Sequence, residues 1–271
     1  MNSFRFDTET IRKNCEEFFS LYDVTKNNIY EMCRLKIIHT RAVAENCVRI
    51  AENMGLSGYD RDLAWIIGEL HDFARFGQAV VTGSLDDSER FNHARLGARI
   101  LFTHRMIDDI IPNYEEVCES DRIVMEKAVY HHSDYKLPDN LTDRELLFCE
   151  IIREADQLDI FRVIAENDWE IDYGCSKEEL LKTDISDAIV EAFYEQRLAE
   201  YSKRVTPADF HMAHIALCFG LGSESARKRA IEQGYLKKMM DIKFSDPVVQ
   251  EKYIGMKAQV NSFLQNGRKR L

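Results

Sequence analysis

Two adjacent residues, His71 and Asp72 in the segment IIGELHDFARF, pair an imidazole with a carboxylate. Those are ligand types for Zn, Fe or Mn, and the carboxylate tilts the choice toward the harder ions. Successive residues of a helix point about 100° apart, so the pair can reach one ion only from a helix end or a distorted turn. Alone, a His–Asp dipeptide is weak evidence, and a surface histidine beside a solvated aspartate is the commoner arrangement. His39 lies four residues after Leu35 and four before Val43, on an apolar helical face. A lone histidine there is more often a satisfied core residue than a ligand. Asp156, in LLFCEIIREADQLDIFRVI, follows Ile152 by one helical turn, and buried carboxylates are rare unless paired or metal-bound. Three separate helices thus each turn a histidine or carboxylate toward an apolar interior. A shared cation is the economical explanation.

The elements that must position these residues are helical. From Arg34 to Met54 the apolar residues step by three or four, and Asn53–Gly58 ends the segment with Gly55 as its C-cap. A second helix starts near Asp60 and carries Leu63, Ile66, Ile67, Leu70 and Ala74. The polar stretch Gly77–Asn92 reads as a loop beside whatever that helix presents. Helical patterns resume at about 90–108, 121–133, 143–166, 177–203, 206–219, 223–241 and 246–265, separated by turn-rich segments. With 12 Gly and 4 Pro in 271 residues and no long alternating run, the fold class is all-α. Six of the eight histidines lie between positions 39 and 132. The expected organisation is a metal-binding helical domain over 1–168 and an α-helical C-terminal extension over 169–271 packed on it.

A net charge of −11 argues against a nucleic-acid surface as the main business of the protein. It leaves room for a small phosphorylated substrate, because a metal or a few arginines can make one pocket positive. No apolar run approaches the roughly 20 residues of a membrane span, and the N-terminus lacks a signal-peptide core. The seven cysteines include no C-x-x-C pair and read as reduced core thiols. The expected compartment is the cytoplasm. A homodimer is compatible with the sequence.

The order His39 (in HTRAVAEN), then LHDFARF, then EADQLD resembles the HD superfamily of metal-dependent phosphohydrolases, over roughly residues 30–166. HDFARFGQ is similar to the HD-I-G-R-F form of the family motif, and IIREADQLDI to its R-D-A-D-K-L-D segment. The resemblance implies an HD-domain helical bundle with additional C-terminal helices, in which His39, His71, Asp72 and Asp156 bind one metal. Some members add two histidines between the pair and the last aspartate, which complete a second site. His93 (in FNHARLGA) and His131 (in VYHHSDYKLP) fall where those would lie, with His132 as the alternative to His131. Asp72 would then bridge two ions. The implied cofactor is one or two divalent transition ions: Fe, Mn, Zn or Ni, with Mg also compatible.

Such a centre lowers the pKa of its water toward ~7, and two ions ~3.5–4 Å apart can also polarise phosphoryl oxygens. Arg41, two residues after His39, and Arg75, three after Asp72, are the candidate substrate-binding cations. Arg75, where some HD enzymes carry a lysine, joins Asp72 as a candidate catalytic residue. Glu69 could orient a ligand, though ordinary helix polarity is the plainer role, and His104, His211 and His214 read as surface residues. No phosphate-binding G-x-x-x-x-G-K-[ST] loop occurs, nor the G-Y-P signature of the cyclic-dinucleotide-cleaving branch. The expected activity is hydrolysis of a phosphate mono- or diester of a nucleotide or related metabolite. A di-iron oxygenase on the same scaffold and an inactive metal-binding regulator are the alternatives.

Overall fold

A computed structural model describes residues 4–22, 28–88 and 91–268. It is built of helices; among the described residues the only extended pairing is an isolated Ser88–Phe91 bridge. In chain order the helices are α1 (Thr8–Ser20), α2 (Asn28–Asn53), α3 (Gly58–Leu70), α4 (Phe73–Thr82), α5 (His93–Ala98), α6 (Ile107–Ile110), α7 (Glu119–His131) and α8 (Asp143–Glu166). They continue as α9 (Trp169–Tyr173), α10 (Lys177–Leu180), α11 (Asp187–Tyr194), α12 (Pro207–Ala216), α13 (Glu224–Gln233), α14 (Tyr235–Met239) and α15 (Pro247–Asn266). Among the described residues no helix is long and apolar enough to cross a membrane. All seven cysteines are free, and five of them are buried.

Contacts divide the chain into two compact units, Met1–Ala155 and Asp156–Leu271, so the division runs through α8. The boundary expected from the sequence, 168, falls just after the end of that helix.

In the first unit α2 packs along α3, burying Val43, Ala44, Cys47 and Ile50 against Leu63, Ile66, Ile67 and Leu70. The approach is close enough to demand glycine. A Cβ on Gly68 would sit 2.5 Å from the Ala44 Cα, a clash with backbone that no side-chain movement relieves. Phe18 stacks on Phe73 at 4.1 Å and Phe19 on Phe76 at 4.6 Å, pinning α1 to α4.

Capping moves two boundaries from their expected places. Ser57, rather than Asp60, caps α3 by accepting from the Asp60 N–H at 3.1 Å, because a serine hydroxyl reaches the third backbone donor. That helix then stops at Leu70, and the chain kinks through His71 and Asp72 (φ −98°, ψ 19°) before α4 begins. The expected loop at Gly77 is helical up to Thr82, because Phe73, Ala74, Phe76 and Ala79 give α4 its own buried face. Gly83, with φ +67°, ends it.

In the second unit α15 packs on α11, and Phe219 lies edge-on to both Phe193 and Phe263 at 5.4 and 5.3 Å. The helix expected over 177–203 is broken. Thr183 and Asp184 bond nearby backbone instead of continuing the helix, and Ser186 starts α11. The helix expected over 223–241 is interrupted by Gly234 at φ +72°.

Candidate metal centre

The kink between α3 and α4 lets neighbours in sequence face one place. His71 closes α3 and Asp72 precedes α4, so the roughly 100° separation of helical neighbours no longer applies. Both are buried, at 0% and 2% exposure. α2 contributes His39 (4% exposed), the start of α5 contributes His93 (4%), and the residue after α7 contributes His132 (3%).

Four imidazoles surround the single Asp72 carboxylate. The Nε2 atoms of His39 and His71 lie 3.6 and 3.5 Å from Oδ2. Those of His93 and His132 lie 3.3 and 3.8 Å from Oδ1. One pair of rings therefore serves each carboxylate oxygen, the pattern expected of a carboxylate that bridges two cations. Ligand atoms of His71, Asp72 and His132 all lie within 4.8 Å of one another.

The other ring nitrogens explain why Nε2 faces inward. His71 Nδ1 donates to the Gly68 carbonyl at 2.7 Å, and His132 Nδ1 to the Val129 carbonyl at 2.7 Å. His93 Nδ1 donates to the Asp87 carboxylate at 2.7 Å. A neutral imidazole that donates from Nδ1 carries its lone pair on Nε2, the arrangement that orients histidine ligands in metal sites. It also sets the Nε2 atoms of His93 and His132 only 2.9 Å apart. Two lone pairs that close repel unless a proton or a cation lies between them. Burial lowers the His93 pKa against the pull of Asp87 and Asp72, which disfavours the proton. The donor set thus fits a divalent transition metal.

Burial would raise the Asp72 carboxyl, but Lys36, His71, His132 and His93 together hold it well below the usual carboxylate range. Lys36, one turn before His39 on α2, donates from Nζ to Oδ2 at 2.7 Å. Arg75 sets its Nε 3.5 Å from Oδ1. Its Nη1 donates to Gln78 at 2.8 Å, to Asp87 at 3.0 Å and to the Leu85 carbonyl. Arg75 therefore braces the Asp87 carboxylate that orients His93.

Of the residues singled out from sequence, His39, His71, Asp72, His93 and Arg75 are brought together. His131 is not. It points away, its Nδ1 donating to Asp134 at 2.7 Å, and its neighbour His132 takes the inward place. Helical phase decides this: one step round the end of α7 separates a partly exposed position from a buried one. Arg41 also stays outside. Two residues from His39 is about 200° round the helix, and its guanidinium donates to Glu16 at 3.0 Å with half its side chain exposed. Asp156, the half-buried residue after Ala155 on α8, opens the second unit.

Sequence reasoning missed Lys36 and Asp87. The spacing of Lys36, three before a candidate ligand on one helix, was the available signal, whereas Asp87 sits in a loop where no periodicity marks it. Glu69 is buried rather than part of a polar face, and burial pushes its carboxyl up to about 7 against the pull of Arg12 and Arg41. His104 is exposed, as expected, whereas His211 is buried.

Residues 37–160 match the HD domain family model, and this span contains every site residue named above except Lys36. The chain matches no curated protein and no solved structure. HD domains are generally metal-dependent hydrolases that bind divalent metals, and the His/Asp grouping around Asp72 is compatible with that chemistry. The all-α fold, the kinked His71–Asp72 pair and the family match agree: residues 37–160 carry an HD domain.

Proposed function

We propose that this protein is a metal-dependent phosphohydrolase acting on a phosphate mono- or diester, with a nucleotide or related small metabolite as its substrate. The observation that carries this reading is the convergence of four histidine Nε2 atoms on the two oxygens of Asp72. In this reading His39 and His71 hold one divalent transition ion on the Oδ2 side, with Asp156 joining them on the strength of the family resemblance. His93 and His132 hold a second on the Oδ1 side. Bound there, such ions supply an acidified water and Lewis-acid polarisation of the phosphoryl group.

The chain's own groups prepare that chemistry. Asp72 stays ionised through neutral pH because Lys36 and the imidazoles offset its burial. The Gly68 and Val129 carbonyls and Asp87 hold the three Nδ1 atoms and so turn each Nε2 toward Asp72. Arg75 keeps positive charge beside Oδ1, where it favours approach of an anionic phosphate. Burial of the ligands excludes bulk water and strengthens each of these interactions.

The test is elemental analysis of the purified protein and of an Asp72→Ala variant, followed by a panel of nitrophenyl phosphate mono- and diesters and nucleoside 5′-phosphates. About one or two metal equivalents and metal-dependent phosphate release are expected in the wild type. In the variant the metal is lost and turnover falls by roughly 10³-fold or more. Bound iron with oxygen uptake and no phosphate release would instead mark an oxygenase. A wild type that takes up no metal overturns the reading.

A further inference from the structure

One cation in the cluster is not used by the ligand set. Lys36 Nζ lies 2.7 Å from Asp72 Oδ2, and its side chain is 16% exposed against 3% for the carboxylate. The same oxygen is faced by His39 Nε2 at 3.6 Å and His71 Nε2 at 3.5 Å. An ammonium therefore stands on the oxygen that an ion held by His39 and His71 would share.

Three points give this placement a consequence. A buried carboxylate is costly without a counter-charge, and Arg75 faces Oδ1 at 3.5 Å, so the charge against Oδ2 comes from Lys36 at 2.7 Å. A metal ion entering beside the ammonium meets a like charge within a few ångströms, in surroundings that screen it poorly. Lysine also suits a displaceable role: its charge is compact and its four-carbon stem flexible, whereas a planar arginine would lock onto the carboxylate.

We propose that Lys36 is a built-in counter-cation of this centre. Its ammonium neutralises Asp72 and holds the ligands together before metal arrives, and the metal must push it off Oδ2 to bind. Lys36 thereby sets the metal affinity below what the donors alone would give and keeps the metal-free site folded. The inference rests on the metal-centre reading above.

The test uses the full chain stripped with a chelator. Zn²⁺ and Mn²⁺ are titrated calorimetrically into the wild type, Lys36→Met and Lys36→Arg, and each is melted with and without metal. Lys36→Met, which keeps a similar stem but no charge, should bind metal at least about tenfold more tightly. It should also melt lower than wild type without metal and gain more on adding it. A Lys36→Met protein that folds only with Zn²⁺ is the extreme form of the same result. Lys36→Arg, which keeps the charge but grips the carboxylate harder, should bind metal no more tightly than wild type and restore metal-free melting. Should Lys36→Met fail to fold even with metal, Lys36→Gln supplies the affinity comparison. Unchanged or weaker affinity in the uncharged variants, while the wild type binds metal, overturns the role of Lys36 and leaves the metal centre standing. A wild type that binds neither ion overturns the centre itself, and the inference with it.

Discussion

Both compact units bury histidines, and they dispose of the ring nitrogens in opposite ways. In Met1–Ala155 the Nδ1 atoms of His71, His93 and His132 are tied to carbonyls or a carboxylate, and the Nε2 atoms converge on Asp72. In Asp156–Leu271 the polar groups close on one another. His211 Nε2 donates to the Met239 carbonyl at 3.1 Å, and its Nδ1 accepts from the Tyr173 hydroxyl at 2.9 Å. His214 Nδ1 donates to that same hydroxyl at 3.3 Å. The carboxylates differ likewise. Asp72 faces imidazoles and two cationic side chains. The fully buried Asp209 accepts from Ser186 N at 2.8 Å, Ser186 Oγ at 2.5 Å, Val205 N at 2.9 Å and Thr206 N at 3.1 Å. A buried histidine or aspartate is therefore no sign of a ligand by itself. What distinguishes the first unit is that several second nitrogens are aimed at one carboxylate.

The sharpest way to break this contrast is to exchange neighbours. His132→Ala should cost the protein about 100-fold or more in affinity for its second metal, with activity falling in step. His131→Ala, which removes only a bond to Asp134, should leave both within about twofold. Calorimetric titration and initial rates decide it, and equal losses in the two variants would erase the distinction drawn from helical phase. Next in size, Asp209→Ala strands several buried donors and should destabilise the protein by about 3 kcal/mol. Urea denaturation reads the loss, and metal content should not change. If Asp209→Ala lost metal, the second unit would not be the purely structural counterpart described above.

The smallest effect is a pH dependence that belongs to the second unit. Burial pushes the His211 pKa down to about 3, from an ordinary value of 6.5. The unfolded chain therefore takes up a proton there that the folded chain refuses. The stability contributed by neutral His211 is full above about pH 6.5 and is lost as pH falls toward 3. His214, pushed down to about 4 by burial, acts in the same direction. Between pH 7 and pH 5 the loss from His211 is about 2 kcal/mol. In metal-stripped protein, His211→Gln should show a smaller fall in melting temperature over that interval. An undiminished fall would mean that other groups carry the acid sensitivity.

Much of the architecture is legible because helical spacing of apolar residues is a local property. The span Arg34–Met54, the helix Asp143–Glu166 and the stop at Gly55 follow from it directly. Interruptions are less legible. The kink at His71–Asp72 leaves the apolar pattern continuous, and the break before Ser186 depends on hydroxyl and carboxylate side chains competing for backbone. For the site, His39, the His71–Asp72 pair and His93 stand out by residue type and motif. Lys36 is a common residue type whose one local signal is its place a turn before His39, and nothing in the loop around Asp87 separates it from a solvated charge.

The sequence by itself determined the helical class, the HD motif and the identity of most candidate ligands, because periodicity and residue chemistry are written in short stretches of chain. The tertiary structure decided which of His131 and His132 turns inward, that Arg41 pairs with Glu16, and that an ammonium rests on Asp72. Those outcomes depend on helix phase and on contacts across tens of residues. A difference of one position on a helix turns a side chain through about 100°, which is enough to separate a ligand from a bystander.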